Sequence, residues 1–456
     1  MNARLVAPLG DHDRADLIAR VLGALGTTKA AVQATSWDQG YQPSRPPDAS
    51  AGPARRSASA SEDALTEPRP LVRAKVAGEA SLLLRAVAPV SHLDRAVAAA
   101  ADALAAQIEP QLRDADLLAA LAEDPGHALA RAFGHLHLRD LGRDDPIVDS
   151  LLTEAIRLHP TAERMPTRAL EYLWLERLWS GKSTAQTREL ALLRQSVIGP
   201  PLDVLGCSIL DLYSLTHVVL YTSDCGRRPP VLPRHVDQIM IDIESALAIA
   251  LDADNLDLAA ETLWAWPMLG QPWSPAARFA FDILTRTQDE HGFLPGPGYD
   301  SGRHQMAPPA DRDRYLLETS YHAELVLGIL CATMLLPGTA PADHARVPAT
   351  AGPAEAVLDH LIHPVDPRWL KGVRALSSIE RAPLAPLLLT AALRRAAMDH
   401  DLTQVQAILR TARRHDLLGL PAATQALALL RRSTLLAQAL KDRRHSGRVR
   451  AEALFD

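Results

Sequence analysis

The sequence has 456 residues, of which 47% are hydrophobic, so it is long enough to bury the cores of about two to three domains. Aromatic residues make up only 4%, which argues against a β-rich core, and the net charge of -6 leaves no basic excess for binding a nucleic-acid backbone. The longest apolar stretch, residues 325–336, is too short to span a bilayer, and no apolar signal segment begins the sequence. We therefore expect a cytoplasmic protein with no nucleic-acid or membrane partner.

Residues 1–80 are expected to form a flexible leader. Within them, residues 12–34 can form a helix, because Leu17, Val21 and Leu25 recur at helical spacing. Residues 36–70 are rich in Pro, Ser and Ala and show no hydrophobic period, which predicts a disordered linker.

From about residue 80 onward, amphipathic helical patterns follow one another, separated by Pro and Gly stop signals. We expect a main helical domain over 81–340 and a C-terminal helical segment with a basic tail over 341–456. The predicted fold class is all-α. Helices joined by short connections favour an α/α toroid-like array of helical hairpins, and an α-solenoid is the alternative.

The first group of polar residues on an otherwise apolar helix is predicted over 164–179. Arg164, Arg168 and Glu171 fall within about 60° of one another around the helix axis, and leucines continue the same face. Such an arginine–glutamate group either binds an anionic part of a substrate or forms a salt bridge between helices.

The most distinctive pattern lies on the helix predicted over 209–224. Tyr213, Ser214, His217, Tyr221 and Asp224 share one arc of about 100°, and the rest of the helix is apolar. A solvent-facing arc would carry a mixture of charges, but this arc has no Lys or Arg. The pattern therefore predicts either the wall of a polar cavity or an internal hydrogen-bond network.

Residues 287–293, with the sequence TQDEHGF, follow a predicted helix. They resemble the Gln-rich, Asp-Gly-aromatic turns that follow helices in cyclase-type α/α toroids, and this resemblance implies a toroid-like fold. The acidic motifs of terpene cyclases and the zinc cysteines of lanthionine-type cyclases are absent, so neither activity is implied.

A third polar group is predicted on the helix over 316–334. Glu318 and His322 are four residues apart and face the same way, so the carboxylate can orient the imidazole or share a metal with it. The alternative is a Glu–His pair at the helix surface. Tyr321, beside His322, is a candidate substrate-binding residue.

Three stretches together resemble a family of all-helical proteins from actinobacteria that has no established activity. They are R-x-P-x-R-x-x-E from Arg164 to Glu171, T-H-x-x-x-Y-x-x-D-x-G from Thr216 to Gly226, and Y-H-x-x-L-V from Tyr321 to Val326. The resemblance spans roughly residues 80–340 and implies a helical domain without implying a reaction.

Two hypotheses for function follow from these patterns. The first is an enzyme of actinobacterial specialised metabolism that acts on a small molecule or peptide. In it His217 and His322 act as general acid and base, or as ligands of a divalent metal, together with Asp224, Glu318 or Glu171. The second is a non-catalytic binding or scaffold protein in which the polar groups are structural. Convergence of His217, His322 and Glu171 in one pocket would favour the enzyme.

Overall fold

The computed structural model describes residues 11–35, 72–157, 163–182, 186–340, 352–362 and 366–452. Every regular element in these ranges is a helix and none is a strand, so the predicted all-α class is confirmed. The linker predicted over 36–70 lies outside the described residues.

The α-helices in the described ranges have 4 to 32 residues, and three one-to-two-turn 3₁₀ segments, Ala88–Leu93, Pro125–His127 and Ala382–Leu384, lie between them. In chain order the α-helices are α1 Asp11–Thr35, α2 Arg73–Val87, α3 Arg95–Ile108, α4 Ala115–Glu123, α5 Ala128–Arg131, α6 Phe133–Asp140, α7 Pro146–Arg157, α8 Pro166–Ser180, α9 Gln186–Gln195, α10 Ile209–Ser223, α11 Val236–Asp252, α12 Leu256–Met268, α13 Pro275–His291, α14 Ser301–Met306, α15 Pro309–Met334, α16 Gly352–Leu358, α17 Arg368–Ala375, α18 Ser378–Arg381, α19 Ala385–Met398, α20 Leu402–Arg414 and α21 Pro421–Glu452. Within the described part of the chain, no helix is both long and apolar enough to cross a bilayer.

Local sequence sets where several of these helices begin and end. The side chain of Asn255 accepts a hydrogen bond from the backbone N–H of Leu258 and so caps the start of α12. Helices α8 and α15 begin with Pro166 and Pro309, at the position where a missing N–H costs nothing. Helix α8 ends at Gly181, whose φ of 65° lies in the left-handed region that glycine adopts without strain.

The chain divides into two compact units, of which unit 1 comprises Met1–Pro200, Ile209–Met240 and Asp254–His344. Six helices of unit 1 pack in a closed cycle: α2 contacts α15, α15 contacts α12, α12 contacts α10, α10 contacts α8, α8 contacts α6, and α6 returns to α2. Helix α1, predicted over 12–34, packs against α15, α2 and α3. Its Leu17, Val21 and Leu25 are buried, as their spacing predicts.

Unit 2 comprises Pro201–Ser208, Ile241–Ala253 and Ala345–Asp456. Its core forms where α16, α19, α20 and α21 pack on one another. Arginines on α19 tie the shorter segments to these helices. Arg395 pairs with the Asp252 carboxylate, and Arg394 donates to the backbone carbonyl groups of Val204 and Cys207 at 2.7 and 2.8 Å.

Candidate functional site

Unit 1 contains a cavity of about 680 Å³. Every helix of the closed cycle contributes to its lining, and so does α4. Much of the wall is apolar, including Leu220, Trp264, Leu325, Val326 and Ile329. A mostly apolar hollow with a few polar groups is the usual form of a small-molecule site.

Helix α12 carries two buried carboxylates, Asp257 and Glu261, of which Glu261 lines the cavity. Its sequence, LDLAAETLWAWPM, is buried along its whole length. Asp257 and Glu261 are four residues apart, so they lie on the same face of the helix, one turn from each other. The Asn255 cap fixes the start of the helix immediately before Asp257.

The two carboxylates meet His322 of α15 at the cavity wall. His322 Nδ1 lies 2.6 Å from Asp257 Oδ1, and the hydroxyl of Tyr213 donates to Asp257 Oδ2 at 2.7 Å. The hydroxyl of Thr216 donates to Glu261 Oε2, also at 2.7 Å. One ligand atom from each of Asp257, Glu261 and His322 lies within 4.8 Å of the others. We call these three residues the cavity cluster.

Burial and neighbouring charges shift the pKa values of the cavity cluster. Burial raises the pKa of Glu261 to about 7, and the nearby Asp257 carboxylate adds to this shift. Burial opposes the charged form of His322, but the carboxylates of Asp257 and Glu79 outweigh it and raise its pKa to about 10. Burial likewise opposes the Asp257 carboxylate, and protonated His322 nevertheless lowers the pKa of Asp257. At neutral pH, Asp257 and His322 therefore form an ion pair beside Glu261.

Glu79 of α2 extends the polar wall beyond the cavity cluster. Its Oε1 lies 3.7 Å from His322 Nε2, and its Oε2 accepts a hydrogen bond of 2.6 Å from the hydroxyl of Tyr321. Lys75, one turn earlier on α2, approaches Glu79 Oε1 at 3.5 Å. Tyr321 therefore orients a cavity carboxylate, and it does not itself appear among the described residues that line the cavity.

His217 of α10 faces the same space as the cavity cluster. Its Nε2 lies 3.7 Å from Glu261 Oε2, and 39% of its side chain is accessible to solvent because it borders the cavity. Surrounding protein still desolvates the ring, and this burial lowers the pKa of His217 to about 4. The imidazole is therefore neutral at pH 7 and can accept a proton or a hydrogen bond.

Five residues proposed from the sequence line this one cavity: Arg168, Glu171, His217, Tyr221 and His322. They come from α8, α10 and α15, which are far apart in the chain. Arg168 donates to Glu171 at 2.7 Å, and the ring of Tyr221 stacks on Trp174 with centroids 5.4 Å apart. The polar groups of three separate helices thus converge.

Asp224 does not join them. Helix α10 ends at Ser223, and Asp224 has a φ of 52°, in the left-handed region, so the helical spacing that placed it beside His217 no longer applies. Its carboxylate instead accepts hydrogen bonds from Arg85 at 2.9 Å and from the indole N–H of Trp174 at 2.6 Å. Arg85, 2% exposed, also donates to Asp140 at 2.9 Å. We call Arg85, Asp140, Trp174 and Asp224 the Arg85 network.

Glu318 and Arg164 also lie apart from the cavity lining of the described residues. Glu318 accepts a hydrogen bond of 2.8 Å from Arg314, one turn earlier on the same helix, whereas the carboxylates beside His322 are Asp257 and Glu79. The guanidinium of Arg164 stacks 4.2 Å from the ring centre of Tyr172.

Comparison with known proteins identifies a family by its sequence. Residues 44–332 match the family model described as a domain of unknown function, DUF6895. The chain belongs to this family. No curated protein and no solved structure matches the chain. The matched residues of the family domain include the cavity cluster and His217, and this agrees with the predicted membership in a helical family without an established activity.

Three polar residues of the site within the family domain were missed from the sequence: Glu79 and Glu261, which line the cavity, and Asp257, which contacts His322. The signal for the last two was present, since two carboxylates one turn apart interrupt the otherwise apolar stretch 256–268. It is the same type of pattern that pointed to His217. Glu79 lies at the end of the predicted leader, residues 1–80, where no site was expected.

Proposed function

We propose that unit 1 is a toroid-like α/α enzyme domain that binds a small molecule in its central cavity and acts on it through histidine and carboxylate groups. The closed cycle of contacts among α2, α6, α8, α10, α12 and α15 supports the toroid-like arrangement, because a solenoid leaves its first and last hairpins unpaired.

The observation that carries the proposal is convergence. His217, His322 and Glu171 come from three helices and line one cavity of about 680 Å³. Polar groups that served only to join helices would be enclosed by their partners, as buried hydrogen-bonding groups usually are. Here the two imidazoles remain partly accessible, with 39% and 31% of their side-chain surfaces open.

The arrangement suits a ligand with an apolar body and at least one polar group. The apolar wall would bury the body and exclude water, while the polar groups of α10, α12 and α15 would fix the reacting end. Imidazole and carboxylate side chains at that end are the groups that most often transfer protons in enzymes. Arg168 and Glu171 at the α8 wall would select the ligand's other polar substituents.

The proposal can be tested by screening a library of small metabolites for stabilisation of the purified full-length chain in thermal melts. Molecules bound in the cavity should raise the melting temperature of the wild type and of Glu318→Gln, a carboxylate variant outside the cavity. The same molecules should have little effect on His217→Ala and Glu171→Gln. Mass spectrometry of incubated hits then detects a product.

Two results would count against this function. Hits that stabilise His217→Ala and Glu171→Gln as strongly as the wild type would place binding elsewhere. The wild type could also bind molecules of the library and convert none of them, not even those that bind most tightly. That result would favour the non-catalytic binding protein.

A further inference from the structure

The carboxylates at the cavity wall are only partly matched by basic groups. Glu79, Asp257 and Glu261 approach His322, and Lys75 is the further cation beside Glu79. Among the described residues, the basic group within 4.0 Å of Glu261 is the imidazole of His217. Asp257 and Glu261 are nevertheless only 8% and 9% exposed. Buried carboxylates in such a setting are usually paired or coordinate a metal.

The geometry of the cavity cluster is that of a metal site built between helices. Two ligands come from one helix at positions i and i+4, and the third comes from the adjacent helix, α15, as in metal sites within helical bundles. Zinc–ligand distances of about 2.0–2.2 Å require the three ligand atoms to lie close together. Those of Asp257, Glu261 and His322 are within 4.8 Å of one another, so small side-chain rotations would bring them to a common cation.

We propose that Asp257, Glu261 and His322 bind one divalent transition-metal cation, Zn²⁺ or Mn²⁺, at the wall of the cavity. One imidazole with two carboxylates suits such cations better than Ca²⁺ or Mg²⁺, which prefer oxygen ligands alone. The remaining coordination positions face the cavity, where water or a bound molecule can occupy them. The proposal deepens the proposed function, on which it rests for the role of the cavity.

Two neighbours on α10 would position the ligands without binding the metal. The hydroxyl of Tyr213 donates to Asp257 Oδ2, and the hydroxyl of Thr216 donates to Glu261 Oε2, each at 2.7 Å. Hydrogen bonds of this kind hold ligating carboxylates in orientation, and losing one typically weakens metal binding by about 10–100-fold. The 2.6 Å contact between His322 Nδ1 and Asp257 would give way when both residues bind the cation.

Isothermal titration of the chelator-treated full-length chain with ZnCl₂ and with MnCl₂ tests the site. We expect one cation per chain. Asp257→Asn, Glu261→Gln and His322→Ala should each weaken binding by more than about 100-fold, and Tyr213→Phe by about 10-fold. Glu318→Gln, which alters a carboxylate on the same helix as His322 but outside the cavity, should bind like the wild type. Circular dichroism confirms that each variant is folded.

Absence of stoichiometric Zn²⁺ and Mn²⁺ binding by the folded wild type would overturn the metal site. Binding that is unchanged in folded Glu261→Gln and His322→Ala would overturn it equally. The small-molecule screen run on chelator-treated protein separates the two proposals. If small molecules still bind in the cavity but neither Zn²⁺ nor Mn²⁺ binds to the chain, the metal site alone is wrong. If the metal binds but no ligand does, the proposed function is wrong.

Discussion

Two polar clusters lie beside helix α10 in unit 1, one at its C-terminal end and the other near its middle, and they are built differently. The Arg85 network surrounds Asp224, just beyond the end of α10, and its guanidinium is 2% exposed. The cavity cluster approaches α10 through Thr216 and His217, and its imidazole is 31% exposed. One cluster is closed by protein partners and the other is open to a cavity.

This difference indicates which cluster stabilises the fold and which is available to a ligand. In the Arg85 network, the buried guanidinium of Arg85 is shared between the carboxylates of Asp140 and Asp224, so removing either acid leaves a buried charge only partly compensated. In the cavity cluster, water from the cavity can replace a lost side chain. The residue type that both clusters share, Asp, therefore carries a different expectation in each, according to what it faces.

The largest expected effect is on stability, from Asp224→Ala. Removing this carboxylate leaves Arg85 buried beside a single acid, Asp140, and strands the indole N–H of Trp174. Breaking a buried pair of this kind costs about 3–5 kcal/mol, a large part of a total of about 5–15 kcal/mol. Urea unfolding monitored by circular dichroism measures the loss.

The same variant also tests the division between the two clusters. Folded Asp224→Ala should keep the Zn²⁺ affinity of the wild type, because Asp224 does not line the cavity. A variant with full stability and weakened Zn²⁺ binding would show that the two clusters are not separate.

A smaller effect is expected from pH, through His137 beside the Arg85 network. His137 is fully buried against Ser81, at 2.9 Å, and burial, with Arg85 and Arg227 adding to it, lowers its pKa well below 6.5. The unfolded chain takes up this proton first as the pH falls below about 6.5, so stability present above that pH is lost. The loss at pH 5.5 should be on the order of 1 kcal/mol.

Unfolding curves at pH 7.5 and 5.5 for the wild type and His137→Gln isolate this contribution. Other buried histidines remain in both proteins, so only the difference between the two pH dependences reports on His137. Equal slopes would mean that His137 takes up a proton at the same pH in the folded protein as in the unfolded chain, and burial would then not hold the ring neutral.

The sequence predicted the cavity face of α10 well, and the reason is local. His217 and Tyr221 are one turn apart on a helix whose polar side has no Lys or Arg, and periodicity within one helix is enough to detect that. Asp224 was placed on the same face because periodicity assumes that the helix continues. A left-handed residue at its end turned the side chain toward Arg85.

The partners of these residues could not be predicted in the same way. Asp257 lies 65 positions from His322, and Glu79 lies 242 positions from Tyr321. Which helices become neighbours depends on how the hairpins of unit 1 pack, and no single helix encodes that contact. Glu318, one turn before His322, was predicted as the carboxylate that pairs with this imidazole. It pairs instead with Arg314.

The smallest expected effect on stability is that of His217→Ala, compared with Thr216→Val beside it. Thr216 is buried and donates to Glu261 at 2.7 Å, so replacing it removes a protein hydrogen bond and should cost about 1–2 kcal/mol. His217 approaches Glu261 only at 3.7 Å and borders the cavity, so water can occupy its place. We expect His217→Ala to cost less than about 1 kcal/mol.

Binding should show the opposite order. His217→Ala removes a neutral imidazole from the cavity wall and should abolish the ligand-induced rise in melting temperature, whereas folded Thr216→Val should retain much of it. If His217→Ala instead lowered stability by more than Thr216→Val and left ligand binding unchanged, His217 would belong with the Arg85 network as a structural residue. Ala has a higher helix propensity than Val, so helix propensity cannot explain a larger loss of stability in His217→Ala, and the surroundings of the two side chains remain as its cause.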